Sequence, residues 1–246
     1  MIDFTIKVAG KPVAVRALFG SSREFCRDYL CSETPDFSVA IAVEDLALER
    51  EKCARMDLAE DMNIRHVPDS QLEITAIQRK IAEELFDYDV LLFHGSAVAV
   101  DGVAYLFTAK SGTGKSTHTR LWREMLGERA VMINDDKPFL YVTTEEVLVC
   151  GSPWNGKHHL GTNISVPLKA VCVLERGTEN RIERISASKA LPMLFQQSNR
   201  PMNAARMPKY MQLLDAVAAR IDFWKLQCNM EMGAAELSFR AMSGEE

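Results

Sequence analysis

Residues 109–116 read Ala-Lys-Ser-Gly-Thr-Gly-Lys-Ser. A phosphate-binding loop asks for Gly, four residues, then Gly-Lys-Ser/Thr, and this stretch departs from that pattern only at Ala109. The chemistry explains the types. Gly112 and Gly114 let the backbone turn tightly enough for several N–H groups to face one phosphate. Lys115 brings positive charge to the β- and γ-phosphates, and the Ser116 hydroxyl suits Mg²⁺. A helix opening about residue 116 would point its positive dipole end at the anion, with Gly127 as its stop. The nucleotide-contacting set is Ser111, Gly112, Thr113, Gly114, Lys115, Ser116 and Thr117, and the implied cofactors are ATP and Mg²⁺. Ala109 is compatible with the loop only if its φ is negative, and Lys110 either adds charge near phosphate or is solvated.

About twenty residues on, Asn134-Asp135-Asp136 ends the short apolar run 130–133. Ligands collect at the C-terminal ends of strands in α/β sheets. One carboxylate can then hold Mg²⁺ while the other accepts the proton of an attacking hydroxyl. His94 ends an earlier apolar run. There it either packs under a sheet edge or fixes one of these carboxylates.

A second polar stretch, 151–163, is longer than most connections and lacks periodicity of its own, which marks it as an active-site loop or a solvated one. In the first case Lys157 stabilises charge on a transferring phosphoryl group, and His158, His159 and Asn163 touch nucleotide or acceptor. The adjacent histidines have the wrong spacing for a metal site.

Elements must place these residues. Val90–Phe93 and 96–100 are apolar runs, and Asp101-Gly102 before 103–108 is a hairpin signal. The strand entering the glycine loop is thus the second arm of an antiparallel hairpin, unlike the all-parallel entry usual for such loops. Strands are also expected at 147–150, 168–174 and 223–228, and helices at 186–196, along 210–221 and at 234–242. Arg200 and Arg206 lie in a connection, 198–208, rich in breakers. The first 68 residues show strands at 2–8, 13–19 and 37–43 around a turn at Gly10-Lys11-Pro12, and nothing catalytic. A helix follows, with Ser70 and Glu73 spaced as a capping box and Leu72, Ile77, Ile81 and Leu85 on one stripe.

Of the 246 residues, 47% are hydrophobic and 26% charged, an ordinary globular balance, and the net charge of −5 argues against a general grip on nucleic acid. No run is long and apolar enough for a membrane helix, and the N-terminus lacks a signal-peptide core, so we expect a cytoplasmic protein with no membrane partner. The six cysteines form no C-x-x-C pair and read as buried reduced thiols.

His94-Gly95, the Asp101-Gly102 hairpin, the 112–116 loop and Asp135-Asp136 together resemble the catalytic domain of the HPr kinase/phosphorylase family, over roughly residues 90–175. The chain looks closer to divergent members associated with peptide maturation than to the bona fide HPr kinases. The resemblance implies an α/β fold: a phosphoenolpyruvate-carboxykinase-like P-loop kinase domain with mixed sheets over 69–246, preceded by a small α+β region, 1–68, for packing or recognition. It implies a kinase that transfers the γ-phosphoryl group of ATP to a hydroxyl of a peptide or small protein. Asp135 matches the catalytic base, His94 its support, and Asp136 with Ser116 the metal side, with the order of the two aspartates left open. The segment 1–68 and the segment after Asp136 depart from the bona fide HPr kinases, which argues against HPr as substrate. A small-molecule kinase acting on a hydroxy amino acid shares every one of these residues. A non-catalytic ATP sensor would need no base, and a carboxykinase would need a set of arginines that is missing. The acceptor's identity and a homo-oligomeric state stay open.

Overall fold

The computed structural model describes residues 1–59, 62–110, 112–156 and 158–245. Two of the sequence-derived candidates, Ser111 and Lys157, lie outside the described residues. The chain divides into two compact units, Met1–Glu84 and Leu85–Glu246. Among the described residues no helix is long and apolar enough to cross a membrane.

The first unit is a three-stranded sheet with helices. Strands β1 (Ile2–Val8) and β2 (Lys11–Ala17) form an antiparallel hairpin, and β2 pairs in parallel with β3 (Phe37–Ala40). The hairpin turns on Ala9 and Gly10, both at positive φ (48° and 74°), one step before the expected Gly10-Lys11-Pro12 turn. Helix α1 (Gly20–Phe25) follows, then α2 (Val43–Ala59) and α3 (Asp69–Leu85). Helix α3, expected to open the second domain, groups almost wholly with the first unit.

Glu73 does not complete a capping box. Fully buried, its carboxylate accepts from Leu18 N, Phe19 N (3.1 Å) and Ser22 Oγ (2.5 Å) at the entry to α1. A buried carboxylate is tolerable when its lone pairs are filled in this way, and orphan N–H groups ahead of a short helix supply the donors. Helix α2 has little apolar periodicity because charge pairs hold it. Buried Asp57 accepts from Arg65 Nη2 at 2.6 Å and from Arg65 N at 2.8 Å, and Arg79 reaches Asp45 at 3.1 Å and also Glu49.

The second unit is mixed α/β. Its nine described strands run β4 (Val90–Leu92), β5 (Ser96–Val100), β6 (Val103–Thr108), β7 (Ala130–Asn134), β8 (Phe139–Val142), β9 (Val147–Cys150), β10 (Ser165–Arg176), β11 (Arg181–Ile185) and β12 (Asp222–Cys228). They make one curled sheet in the order β4-β8-β9-β10-β6-β5-β7, with β12 on β10 and β11 on β12. Strand β10 causes the curl. Its first residues pair antiparallel with β9; from Leu168 it runs parallel to β6, with an irregularity at Leu168/Ala170, and from Ala170 also parallel to β12. Helix α4 (Lys115–Leu126) follows β6; α5 (Ala187–Gln197) and α6 (Met207–Arg220) precede β12, and α7 (Met232–Ser243) closes the unit.

Two apolar layers sandwich this sheet. Phe93, Leu106, Ile133, Val171, Tyr210 and Leu214 form one; Phe107, Trp122, Cys172, Leu226 and Phe239 form the other. The six cysteines are free thiols, and burial pushes Cys26 up to about 12 and Cys150 up to about 11, which makes both poor nucleophiles.

The hairpin between β5 and β6 forms at Asp101 and Gly102, at φ 50° and 87°, the pair of positive values a tight two-residue turn needs. This hairpin decides where the site lies. Strand β5 is antiparallel to β6 on one side and to β7 on the other, while β10 is parallel to β6. The start of β5 and the ends of β6, β7 and β10 therefore share one edge of the sheet.

Candidate functional site

That edge carries the glycine loop. Thr108 ends β6, and Ala109 is buried with no positive φ, so its methyl packs into the core beside Phe107 and Trp122 without straining the backbone. Gly112 (φ 74°) and Gly114 (φ 119°) take conformations that L residues rarely adopt, and an added Cβ at either would meet open space. Here glycine is required by the backbone and not by crowding. Gly114 caps α4 with no side-chain hydrogen bond, so the first N–H groups of the helix stay available to an anion.

Lys115 opens α4. Its Nζ lies 3.4 Å from the Ala109 carbonyl. Burial lowers its pKa, and the charges of Asp136 and Asp135 act the other way. Both acids are thus close enough to Lys115 to act on it. Arg176, at the end of β10, donates from Nη2 to the Gly112 carbonyl and tethers the loop from the neighbouring strand.

The acid pair sits on a turn built by Asn134. This side chain is fully buried. Its Oδ1 accepts from Asp136 N (2.9 Å) and Lys137 N (2.7 Å), and its Nδ2 donates to Ser152 O (3.1 Å) and Ser152 Oγ (3.0 Å). Ser152 Oγ in turn donates to the Lys137 carbonyl at 2.6 Å. One amide therefore fixes both the acid turn and the start of the 151–163 loop. That loop returns to the same strand, with Thr162 N donating to the Ile133 carbonyl (3.1 Å) and an isolated bridge joining Asn134 to Gly161. Trp154 is buried edge-on against Phe139, at 6.3 Å between ring centres.

The two carboxylates have different surroundings. Asp135 is 6% exposed and accepts from Ser96 Oγ at 2.7 Å. Ser96 has one proton, and the carboxylate takes it, so Thr119 Oγ1 is the donor in its 2.9 Å contact with Ser96. Thr119 stands one turn into α4, so this hydroxyl chain couples Asp135 to the helix that the phosphate loop opens. Asp136 is partly exposed, with His94 Nε2 at 3.4 Å and Lys137 Nζ at 3.6 Å. Of the two aspartates left open as partners of His94, the structure sets Asp136 beside it. His94 lies before the start of β5 and meets Asp136, because β5 turns its first residue, Ser96, toward Asp135. Burial, then the charges of Lys137 and Lys115, lower the His94 pKa to about 4, so the ring is neutral at pH 7.

A cavity of about 540 Å³ opens beside these groups, lined by Ser116, Thr119, Arg120, Arg123, Asp135 and His158 among others. A second, of about 360 Å³, lies on the other flank of α4, with Gly114, Thr117, Leu121, Leu174, Arg176 and Met230 among its lining residues. Thr117 borders both. Of the loop residues named from sequence, His158 enters the first cavity, whereas His159 and Asn163 are exposed and line neither. Arg206 pairs with Asp87 at 2.6 Å and Arg200 lies over the Phe195 ring, so both have local structural partners.

Among the described residues no group of three or more His, Cys, Asp or Glu could hold a metal ion by itself. One serine hydroxyl and one or two carboxylates are the donor set that suits Mg²⁺ carried on nucleotide phosphates rather than a cage made by protein alone. Ser96, Thr119, Asn134 and Arg176 were not legible as site residues. Each is an ordinary residue in sequence and acquires its role from strand neighbours.

A protein-family profile described as "ScmC: SynChlorMet cassette protein ScmC" matches residues 62–232. No curated protein matches the chain. Among solved structures, the Hpr(Ser) kinase/phosphatase from Coxiella burnetii is similar at 12% identity, with 62% of this chain and 95% of that chain covered and a TM-score of 0.35.

Proposed function

This chain belongs to the ScmC family of SynChlorMet cassette proteins, and we propose that it is an ATP- and Mg²⁺-dependent kinase acting on a hydroxyl. The observation that carries this reading is the hydroxyl chain from Asp135 through Ser96 to Thr119, which ties the acid pair at the end of β7 to the helix that opens at Lys115 behind two positive-φ glycines.

Gly112, Gly114 and the first N–H groups of α4 cradle the phosphates, and Lys115 swings from the Ala109 carbonyl to the β- and γ-phosphates. Ser116 and Asp136 hold Mg²⁺, with neutral His94 behind Asp136. The ion, when bound, neutralises charge on the phosphates and draws electron density from the γ-phosphorus. The acceptor sits in the larger cavity, where Asp135 Oδ2 takes its proton while Ser96 holds Oδ1. The new bond joins the acceptor oxygen to the γ-phosphorus, and the bond from that phosphorus to the bridging oxygen breaks and leaves ADP. The smaller cavity, beside Gly114 and with an apolar wall of Leu121 and Leu174, receives the nucleoside.

Asp135→Ala tests the mechanism. Turnover should fall by about 10²–10⁴-fold, the usual worth of a general base, while Mg·ATP still binds. Full turnover in that variant would remove Asp135 as the base.

A further inference from the structure

Resting on the kinase reading of the larger cavity, we infer that its acceptor is an acidic peptide, with a carboxylate two to three residues from the hydroxyl that is phosphorylated. Helix α4 presents Ser116, Arg120 and Arg123 to this cavity. These positions are one helix face, spaced four and three residues apart. Arg120 is already committed: its Nη1 lies 2.6 Å from Glu124 Oε1. Arg123 is half-buried and has no acidic partner among the described residues, and its side chain borders the cavity that also holds Asp135. A partly buried guanidinium facing a site, with no counter-charge of its own, selects an anion.

Distance narrows the anion further. At a rise of about 1.5 Å per residue, Arg120 and Arg123 stand roughly 6 and 10 Å along the helix from Ser116, where the phosphates end. An extended peptide advances about 3.3 Å per residue, so a carboxylate three residues from the acceptor comes level with Arg123, and one two residues away with Arg120, whose guanidinium stays shared with Glu124. A free hydroxy amino acid cannot span that gap, because its carboxylate and hydroxyl sit on neighbouring carbons. Nucleotide phosphates are not the anion in question, since they belong to the opposite end of the helix.

The test uses the whole chain with short peptides that each carry one serine. Glutamates flank it at two and three residues on either side in the first peptide, glutamines in the second and lysines in the third, and free L-serine is the fourth acceptor. Phosphate incorporation with Mg·ATP is read by mass spectrometry, and peptide binding by fluorescence anisotropy with a non-hydrolysable ATP analogue. We expect the glutamate peptide to be favoured over the glutamine one by about fivefold in kcat/KM and in affinity, the upper end for one charge pair that is not fully buried. Arg123→Ala should collapse that ratio toward one, and Arg123→Glu should turn it in favour of the lysine peptide. Turnover without charge preference, or with L-serine preferred, would overturn the inference and leave the kinase reading standing. Arg123-dependent binding of the glutamate peptide without turnover would support the inference and count against the kinase reading. Neither binding nor turnover of the glutamate peptide, with Mg·ATP still bound, also overturns it.

Discussion

Asn134→Ala should destabilise this protein more than Ser152→Ala, the truncation of the other polar side chain that shapes the acid turn. The side chain is fully buried and makes four hydrogen bonds, between 2.7 and 3.1 Å. Each is worth about 1 kcal/mol net, and removing the amide leaves buried Ser152 without two of its hydrogen bonds. Water can reach the half-buried Asp136 and Lys137 amides, so the expected loss is about 3 kcal/mol, near the lower end of the sum. Ser152→Ala provides the scale. It removes the Ser152 Oγ contacts to Asn134 and to the Lys137 carbonyl but keeps the two bonds that shape the acid turn. Its loss should be about half as large, roughly 1–2 kcal/mol. Urea unfolding followed by tryptophan fluorescence is a suitable assay, because Trp154 lies two residues beyond Ser152 and packs on Phe139. Equal m-values in the three proteins would license the comparison. A loss below about 1 kcal/mol for Asn134→Ala, or one no larger than that of Ser152→Ala, would refute the claim that this amide organises the turn.

Other expectations follow from the same geometry. Gly114→Ala meets no atom but must hold φ near 119°, so it should cost about 1–2 kcal/mol and weaken Mg·ATP binding about tenfold, as read by calorimetry. Arg176→Ala releases the Gly112 carbonyl and should weaken Mg·ATP binding about fivefold, since one exposed hydrogen bond from a charged group is lost. Burial lowers His118 to about 4, beneath its ordinary value of 6.5. The unfolded chain therefore binds more protons between those two values, so stability is full above pH 6.5 and falls toward pH 4, by up to roughly 3 kcal/mol. His94 moves in the same direction. His118→Gln should make that fall shallower in pH-dependent urea titrations, and an unchanged slope would exclude His118 as its source.

What the sequence revealed was local. Asp101-Gly102 and the 112–116 stretch could be read directly because a turn type or a phosphate loop demands particular residues at fixed offsets, and the structure has the required positive φ at each glycine. The second unit's long strands and helices were visible in their apolar periodicity. Partners drawn from distant strands were not visible. Ser96 meets Asp135 across 39 residues, and Arg176 meets Gly112 across 64. Glu73 shows the opposite failure: its spacing from Ser70 matches a capping box, yet the fold spends the carboxylate on α1 instead. Helix α2 was missed as a long helix because ion pairs, and not an apolar stripe, hold Asp45, Glu49 and Asp57. His94 reads in the sequence as either a packed ring or a carboxylate partner, and only the pairing of β5 with β7 decides which carboxylate it meets.

The most direct test of the central claim is isothermal titration of Mg·ATP into the wild-type protein and into Lys115→Ala. The account predicts micromolar-range binding by the wild type, lost in the variant, whose fold should remain because among the described residues the Lys115 side chain makes one hydrogen bond, to the Ala109 carbonyl at 3.4 Å. Equal binding by both proteins, or none by the wild type, would contradict it.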